Sequence, residues 1–551
     1  MIRKIQIFIL KTLPMLFCPL SKKRLIHSTD WIPRLSNLYR FFLILGLEYP
    51  IHYFLFGYTN KIKTELVEKE NERVMLERAW LDYFNCSNDN IKFFMSRLFY
   101  YSNLFNEKIA KTVMTFALNT SNKEYRYWLA MDISFWLFHT GRGLYDGFYL
   151  DRRECLRKIA LENKLSFEID RNKRNNKSIC ILSYSLSRDV VFNSPSRITH
   201  LLSSGMTKYY DDVYVLDLDS FRKGGYFHRK TISAYRGATT KHKGKIKSIF
   251  SKRRISVYFS KGNSFSKRMQ NTLDIISKIN PSAILDLSDE CSPESYFYSQ
   301  QIPTFYIPLR NHASSSFFYK ALGRTWKYEY VNRRFKSISN SEVCDWCFPE
   351  YIPPKKCVIT KSDLHLEDDS FVVLTIGPNY QCPNSLADKM IDLLKNNPKI
   401  VWMFVGDRCS DYIRIKYPDL LGKQIIQHGF EKDLRSLCDV CDVVLRLNIT
   451  GGSGGTAIAA IEGLPIVMSD MIVDPSRWLG IDFSSLHLDQ ELVNEVYKLY
   501  TNKSYYKEQS KRVQSLAIRG SDVEEKWSEL FNIIEINKSL FETNHKVLED
   551  N

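Results

Sequence analysis

The sequence predicts an α/β protein of two tandem doubly wound units preceded by an all-helical domain. Three observations carry that prediction. Between about Lys61 and Leu165 apolar residues recur at three- and four-residue spacing with charged residues between them, the pattern of amphipathic helices. After the polar, basic break "IDRNKRNNKSI", short apolar runs alternate with helix patterns, which implies crossover connections and a mostly parallel sheet covered on both faces. After the Pro- and Cys-containing stretch "DWCFPEYIPPKKC" the alternation begins again. A chain of 551 residues, 44% hydrophobic and 14% aromatic, has material for a core in each unit.

Residues 1–60 form an aromatic-rich, basic segment. Its first apolar run, "MIRKIQIFILKTLPMLFCPLSKKRL", is broken by Lys11 and Pro14 and is followed by no small-residue cleavage site. Its second, Phe41 to Tyr58, contains Glu48, Pro50 and His52. Neither supplies the roughly 20 uninterrupted apolar residues of a spanning helix. Arg3, Lys4, Lys11, Lys22, Lys23 and Arg24 mixed with apolar residues fit a segment lying on an anionic membrane surface. An aromatic helix packed on the protein's own body satisfies the same pattern. The helical domain spans 61–175 and includes "KTELVEKENERVMLERAWLDYF". In the first unit, 176–340, "SICILSYS", "DVYVLDLD", "RISVYFS", "SAILDLS" and "IPTFYIPL" read as strands, with "SPSRITHLLSSGM" and "FSKRMQNTLDIISKI" as helices. In the second, 341–505, the strands are "SFVVLTIG", "KIVWMFVG", "QIIQHGF", "DVVLRL" and "LPIVMS". C-terminal helices fill 506–551, and "VEEKWSELFNIIEINKSLF" is placed to cross back over the first unit.

The formal net charge of +17 suits an anionic partner: a nucleotide, a phospholipid surface, a charged glycan or nucleic acid. The densest basic run, "KHKGKIKSIFSKRR" (Lys241 to Arg254), interleaves seven Lys/Arg with Ile246, Ile249 and Phe250. It reads as a contact for phospholipid or an anionic acceptor, or as a solvated surface loop. No helix-turn-helix, zinc-finger or RNP-like signature accompanies it, which makes nucleic acid an unlikely partner. The twelve cysteines are scattered without a disulfide framework, so a reducing, cytoplasmic setting is expected. The pairs Cys344/Cys347 and Cys438/Cys441 have the spacing of a zinc site, but "LRSLCDVCDVVL" reads as a helix feeding a strand, where the second pair belongs to the core. No metal is expected.

The stretch "NITGGSGGTAIAAIEGLPIVMSD", Asn448 to Asp470, carries the chemistry. It reads as a strand end, a glycine turn and a helix stopped by Gly463 and Pro465. Glycines let backbone approach a ligand, and the free N–H groups of a first helical turn attract anions. No Lys stands where a P-loop needs one. A tight turn requiring positive φ is the alternative reading.

From Phe371 to Asp470 the order of strand, Gly-Phe turn, helix ending in Cys-Asp, strand, glycine loop, helix and "GLPIV" resembles the donor-binding half of GT-B nucleotide-sugar glycosyltransferases. Two Rossmann-like doubly wound units in tandem are the outline of that fold. The glycine-rich "GGSGGT" is loosely similar to the bacterial cytoplasmic protein glycosyltransferases and to O-linked N-acetylglucosamine transferases, which also carry a helical N-terminal domain. The resemblance implies that Gly451, Gly452, Ser453, Gly454, Gly455 and Thr456 bind the donor diphosphate. It also implies that Gly377, Asn379 and Tyr380 border the donor, that Gly429 and Phe430 lie beside its base or ribose, and that a UDP-sugar is the donor. Two departures matter. A pair of glutamates found in many retaining members would fall at Thr450 and Ile458, and the usual Arg/Lys clamp is not evident after "VVLTIG". Both point to an inverting, metal-independent transfer.

An inverting transfer needs a general base from the first unit. Asp289 and Glu290 follow a strand's carboxyl end, and the same residues would serve as a helix N-cap. His200 lies on the helix after the first strand, where a merely packed imidazole is the alternative, and His312 follows "FYIPLRN". The expected function is sugar transfer from a nucleotide-sugar to a glycan, lipid-linked or protein acceptor on the cytoplasmic side, with no separate cofactor. A UDP-sugar 2-epimerase on the same fold, or a noncatalytic membrane-associated scaffold, are the alternatives.

Overall fold

The computed structural model describes residues 70–101, 106–127, 129–130, 133, 145, 147–183, 186, 194–218, 243–251, 254–262, 265–288, 292–307, 317–323, 343–346, 348–349, 352–377, 382–406, 409–446, 453–468 and 489–549. The N-terminal segment 1–60 and the candidates Asp289, Glu290, His312, Asn379, Tyr380, Gly451 and Gly452 lie outside the described residues.

The helical domain contains α1 (Glu70–Cys86), α2 (Asp89–Tyr101), α3 (Glu107–Asn119) and α4 (Phe148–Glu162). Helix α3 starts where the Asn106 side chain accepts from the Ile109 N–H, and it buries Ile109, Ala110, Val113, Met114, Phe116 and Ala117. The almost fully buried Arg126 ties it to α4: Nε donates to the Ala117 carbonyl at 2.9 Å and the guanidinium pairs with Glu162.

The first sheet holds seven parallel strands in the order β3-β2-β1-β4-β5-β6-β7. They are β1 (Asn175–Ser183), β2 (Asp212–Asp217), β3 (Ile255–Phe259), β4 (Pro281–Leu287), β5 (Thr304–Tyr306), β6 (Lys320–Gly323) and β7 (Val343–Asp345). Its helices are α5 (Ser194–Met206), α6 (Lys243–Phe250), α7 (Phe265–Ile279) and the short α8 (Ser295–Tyr298). Two expectations need correction. The sheet continues past residue 340 into β7, and β6 and β7 are too short for hydrophobic period to reveal them. Nor is "IDRNKRNNKSI", whose polar, basic composition suits a linker, only a break between the helical domain and the first unit. The Asn280 side chain donates to the Asp170 carbonyl at 2.7 Å, Arg174 donates to the Gln301 carbonyl at 2.7 Å, and Asn175 already begins β1. Residues of all four N-terminal helices share one core with Cys180, Leu182, Leu216 and Ile284 of the sheet.

The opposite face of that sheet, with Ile179, Ile181, Val213, Val215 and Leu285, is covered by α5, α6 and the C-terminal helix. Within the basic run, Lys243–Phe250 forms α6, whose Ile246 and Phe250 are fully buried against the sheet. Its apolar residues are therefore engaged by the core and its lysines line the outer side.

The second sheet is parallel, in the order β10-β9-β8-β11-β12. It comprises β8 (Phe371–Gly377), β9 (Ile400–Gly406), β10 (Ile425–Gly429), β11 (Val443–Arg446) and β12 (Ile466–Met468). Helices α9 (Asn384–Asn396), α10 (Asp411–Lys416), α11 (Leu434–Leu437) and α12 (Ser453–Ile461) follow its strands. The chain then runs through α13 (Asp489–Thr501), α14 (Lys503–Gly520) and α15 (Val523–Glu549). Helix α15 crosses back onto the first unit, burying Trp527, Leu530 and Ile534 there. Cys438 and Cys441 are buried in the second unit's core, while Cys344 belongs to β7 and receives a bond from Asn537.

Candidate active site

Strand ends in the second unit form a row. Gly377 of β8 is paired with Gly406 of β9, and Gly429 ends the neighbouring β10 beside Val405. All three have left-handed backbone, with φ of 112°, 99° and 81°, a conformation L side chains rarely adopt. Each strand therefore turns away at the same level, leaving bare backbone along the carboxyl edge where ligands of such sheets bind.

Helix α12 closes on this edge. A Cβ on Gly455 would stand 2.9 Å from Cγ2 of Ile376 in β8, so its absence is what lets the first turn sit against the strand end. The Gly463 N–H reaches the Ala460 carbonyl at 3.0 Å and the Leu464 N–H the Ala459 carbonyl at 3.0 Å, which stops the helix where the sequence places its cap. In the first turn, Thr456 is fully buried and its hydroxyl has no hydrogen-bond partner among the described residues. Leaving such a group unpaired costs on the order of 1–3 kcal/mol. The last residue of β11 is Arg446, 2% exposed, with one guanidinium nitrogen 3.4 Å from the Ile376 carbonyl. A buried cation and a helix N-terminus thus flank the same strand end, a setting that favours an anion.

After Gly429, the turn is stapled. His428 Nε2 and Glu431 Oε2 lie 2.9 Å apart, and the other Glu431 oxygen accepts from the Asp433 N–H at 2.7 Å. Burial pushes the Asp433 carboxyl up, but bonds from Ser436 and the Lys356 N–H outweigh it and hold it at about 2. The turn presents Phe430 with 64% of its surface exposed.

In the first unit, residues on either side of Asp289 and Glu290 in the sequence form a buried polar network. Asp286, at the end of β4, accepts from the Ser288 N–H at 2.7 Å and from the Tyr298 hydroxyl at 3.0 Å, and Ser292 lies 3.2 Å from that hydroxyl. Sequence reading missed Glu294 in this connection, which is 4% exposed. Burial, and after it the Asp286 charge, push its carboxyl up to about 7, with Arg268 opposing. A carboxyl raised above its ordinary 4.5 stabilises the fold while protonated and loses that contribution as pH rises from about 4.5 through 7. Glu294→Gln should accordingly match the wild type at pH 5 and exceed it at pH 8 by about 3 kcal/mol at most. Urea unfolding at the two pH values checks this, and a pH-independent difference would refute it.

His200 is not brought to the strand edge. It sits midway along α5 with its ring edge-on to Phe250 of α6, 5.4 Å between centroids. Its ring contact lies in the α5–α6 seam. Arg446 and Gly406 were also missed. The one available signal was three strand runs ending in glycine, "VVLTIG", "VWMFVG" and "IIQHG".

Two parallel sheets in tandem, with a terminal helix folded back on the first, define the GT-B fold. No family model matches the chain, and no curated protein matches it. Among solved structures, a mutant of the O-GlcNAc transferase of Thermobaculum terrenum matches 90% of this chain and 99% of its own, at 12% identity and a TM-score of 0.51. HepE of Anabaena, solved with UDP and glucose, matches 65% of this chain and 100% of its own at 14% identity and a TM-score of 0.45. The UDP-GlcNAc 2-epimerase of Neisseria meningitidis, bound to UDP-GlcNAc, matches 64% and 99% at 12% identity and a TM-score of 0.38.

Proposed function

We propose that this chain is a glycosyltransferase whose second unit holds a nucleotide-sugar, with a UDP-sugar as the expected donor, and whose first unit presents a glycan, lipid-linked or protein acceptor. The observation that carries the reading is the strand end where buried Arg446, the start of α12 and the unpartnered Thr456 hydroxyl meet bare backbone. The diphosphate takes the N–H groups of Ser453 to Thr456 and the Arg446 guanidinium, which stabilise the charge that develops as the sugar leaves. Phe430 stacks the base beside Gly429. With these groups supplying positive charge, the reaction needs no metal, and the missing glutamates favour inversion through a base in the loop after β4, Asp289 or Glu290. The named activity of the Thermobaculum neighbour accords with sugar transfer.

Thermal shift against UDP-, GDP-, CMP- and ADP-sugars tests the donor assignment, and a panel with no binder would overturn it. Thr456→Val separates the site from the fold. Replacing an unpaired buried hydroxyl by a methyl should stabilise the free protein by about 1 kcal/mol, while removing a partner of the diphosphate should weaken donor binding about tenfold. Calorimetric titration and unfolding of the variant give both signs. Unchanged affinity would displace the diphosphate from this helix turn.

A further inference from the structure

Helix α3 carries two faces. One is apolar and fills the helical domain's core. On the other, Lys108, Lys111, Thr112, Thr115 and Asn119 are related by three- and four-residue offsets, a stripe that would ordinarily be solvated. Here the corner between α1 and α2 stands beside it, and together they outline an open surface depression of about 480 Å³, within the size range of small-molecule pockets, roughly 300–1,000 Å³.

The lining has a specific chemistry. Phe84 and Phe116, edge to face at 5.8 Å, supply an apolar floor. The Thr112 and Thr115 hydroxyls donate to the Lys108 and Lys111 carbonyls at 2.9 and 2.8 Å, and the Asn119 amide donates to the Thr115 carbonyl at 2.9 Å. Their remaining oxygen lone pairs are acceptors for ligand hydroxyls. Lys92, Lys108 and Lys111 border the space, with the Lys92 ammonium over the Phe84 ring and the Lys111 ammonium over the Tyr145 ring, each at 5.9 Å. Asp89 is the single acid in the lining, and the Thr120 hydroxyl donates to it at 2.8 Å.

Acceptors for hydroxyls, an apolar floor and surplus positive charge together match a saccharide bearing an acidic group. We infer that the helical domain holds a second binding site, built from α1, α2 and α3, for an anionic saccharide carrying carboxylate or phosphate. The inference does not rest on the donor reading, because binding here requires neither donor nor turnover.

Calorimetric titration of the full chain with trigalacturonate, with a phosphorylated maltotriose and with neutral maltotriose tests it. At least one acidic trisaccharide should bind, the neutral one about tenfold more weakly or not at all, and affinity should fall as salt rises from about 50 to about 300 mM. The two acidic probes distinguish carboxylate from phosphate. K108Q/K111Q, at two exposed positions, should lose about tenfold or more in affinity with unchanged thermal unfolding. Equal binding of the neutral sugar, no binding of either acidic one, or an unaffected variant would overturn the inference. So would inorganic phosphate binding as tightly as the phosphorylated sugar, or phosphatidylglycerol vesicles binding through these lysines when neither trisaccharide does.

Discussion

Trp527→Ala is expected to destabilise the protein by about 3–5 kcal/mol. The side chain lies in α15, near the end of the chain, yet packs in the core of the first unit at 3% exposure. Its ring is 5.5 Å from Phe348 and 6.4 Å from Trp346, whose indole N–H donates to the Lys526 carbonyl at 3.0 Å. It also fits against Gly205 of α5, where any Cβ would come within 2.7 Å of the ring. Truncation leaves an aromatic-sized void that the rigid sheet behind it cannot collapse to fill. It also weakens the seat of Leu530 and Ile534, the other residues with which α15 covers the sheet. Denaturant unfolding measures the loss. A cost under about 1 kcal/mol would mean that α15 is not an integral layer of the first unit. Gly205→Leu probes the same contact from the opposite side and should cost comparably.

That contact shows where sequence reading succeeds and where it stops. The strands "SICILS" and "SAILDL" are buried on both faces, so their near-continuous apolar runs are legible as parallel strands. The helices "SPSRITHLLSSGM" and "FSKRMQNTLDIISKI" have strong periodicity and occupy the residues that the sequence assigns them. The helix after the glycine run is legible for a different reason, because glycines and a Gly-Leu-Pro stop punctuate it, although it starts at Ser453, inside the stretch that the sequence gives to the turn. Short β6 and β7 have too few residues for any period. Shared cores are tertiary facts: nothing in "IDRNKRNNKSI" tells that its side chains tie the helical domain to the first sheet. Arg446 looks like any charged residue ending a strand until its burial is seen, and Glu294 looks like a surface glutamate. The helical period places His200 on α5 but does not say that α6 will lay Phe250 against it.

Gly455→Ala is expected to abolish tight donor binding and to cost about 1–3 kcal/mol of stability, a large effect for one methyl group. In an ordinary helix the same change would stabilise, since alanine is the better helix former by about 1 kcal/mol. The sign reverses here because the new Cβ would meet Cγ2 of Ile376 at 2.9 Å. That atom belongs to a β-branched side chain on a strand and has little freedom to move aside. Relief therefore comes from lifting α12 off β8, which carries the N–H groups of Ser453 to Thr456 away from Arg446. A displacement of about an ångström is enough to cost a site of this kind most of its binding. Two measurements separate this account from general damage. In an Ile376→Ala background the stability penalty of Gly455→Ala should shrink, because the clashing atom is gone, and donor affinity should recover relative to the single variant. If the two substitutions instead add independently, the close approach of α12 to β8 is not what shapes the site.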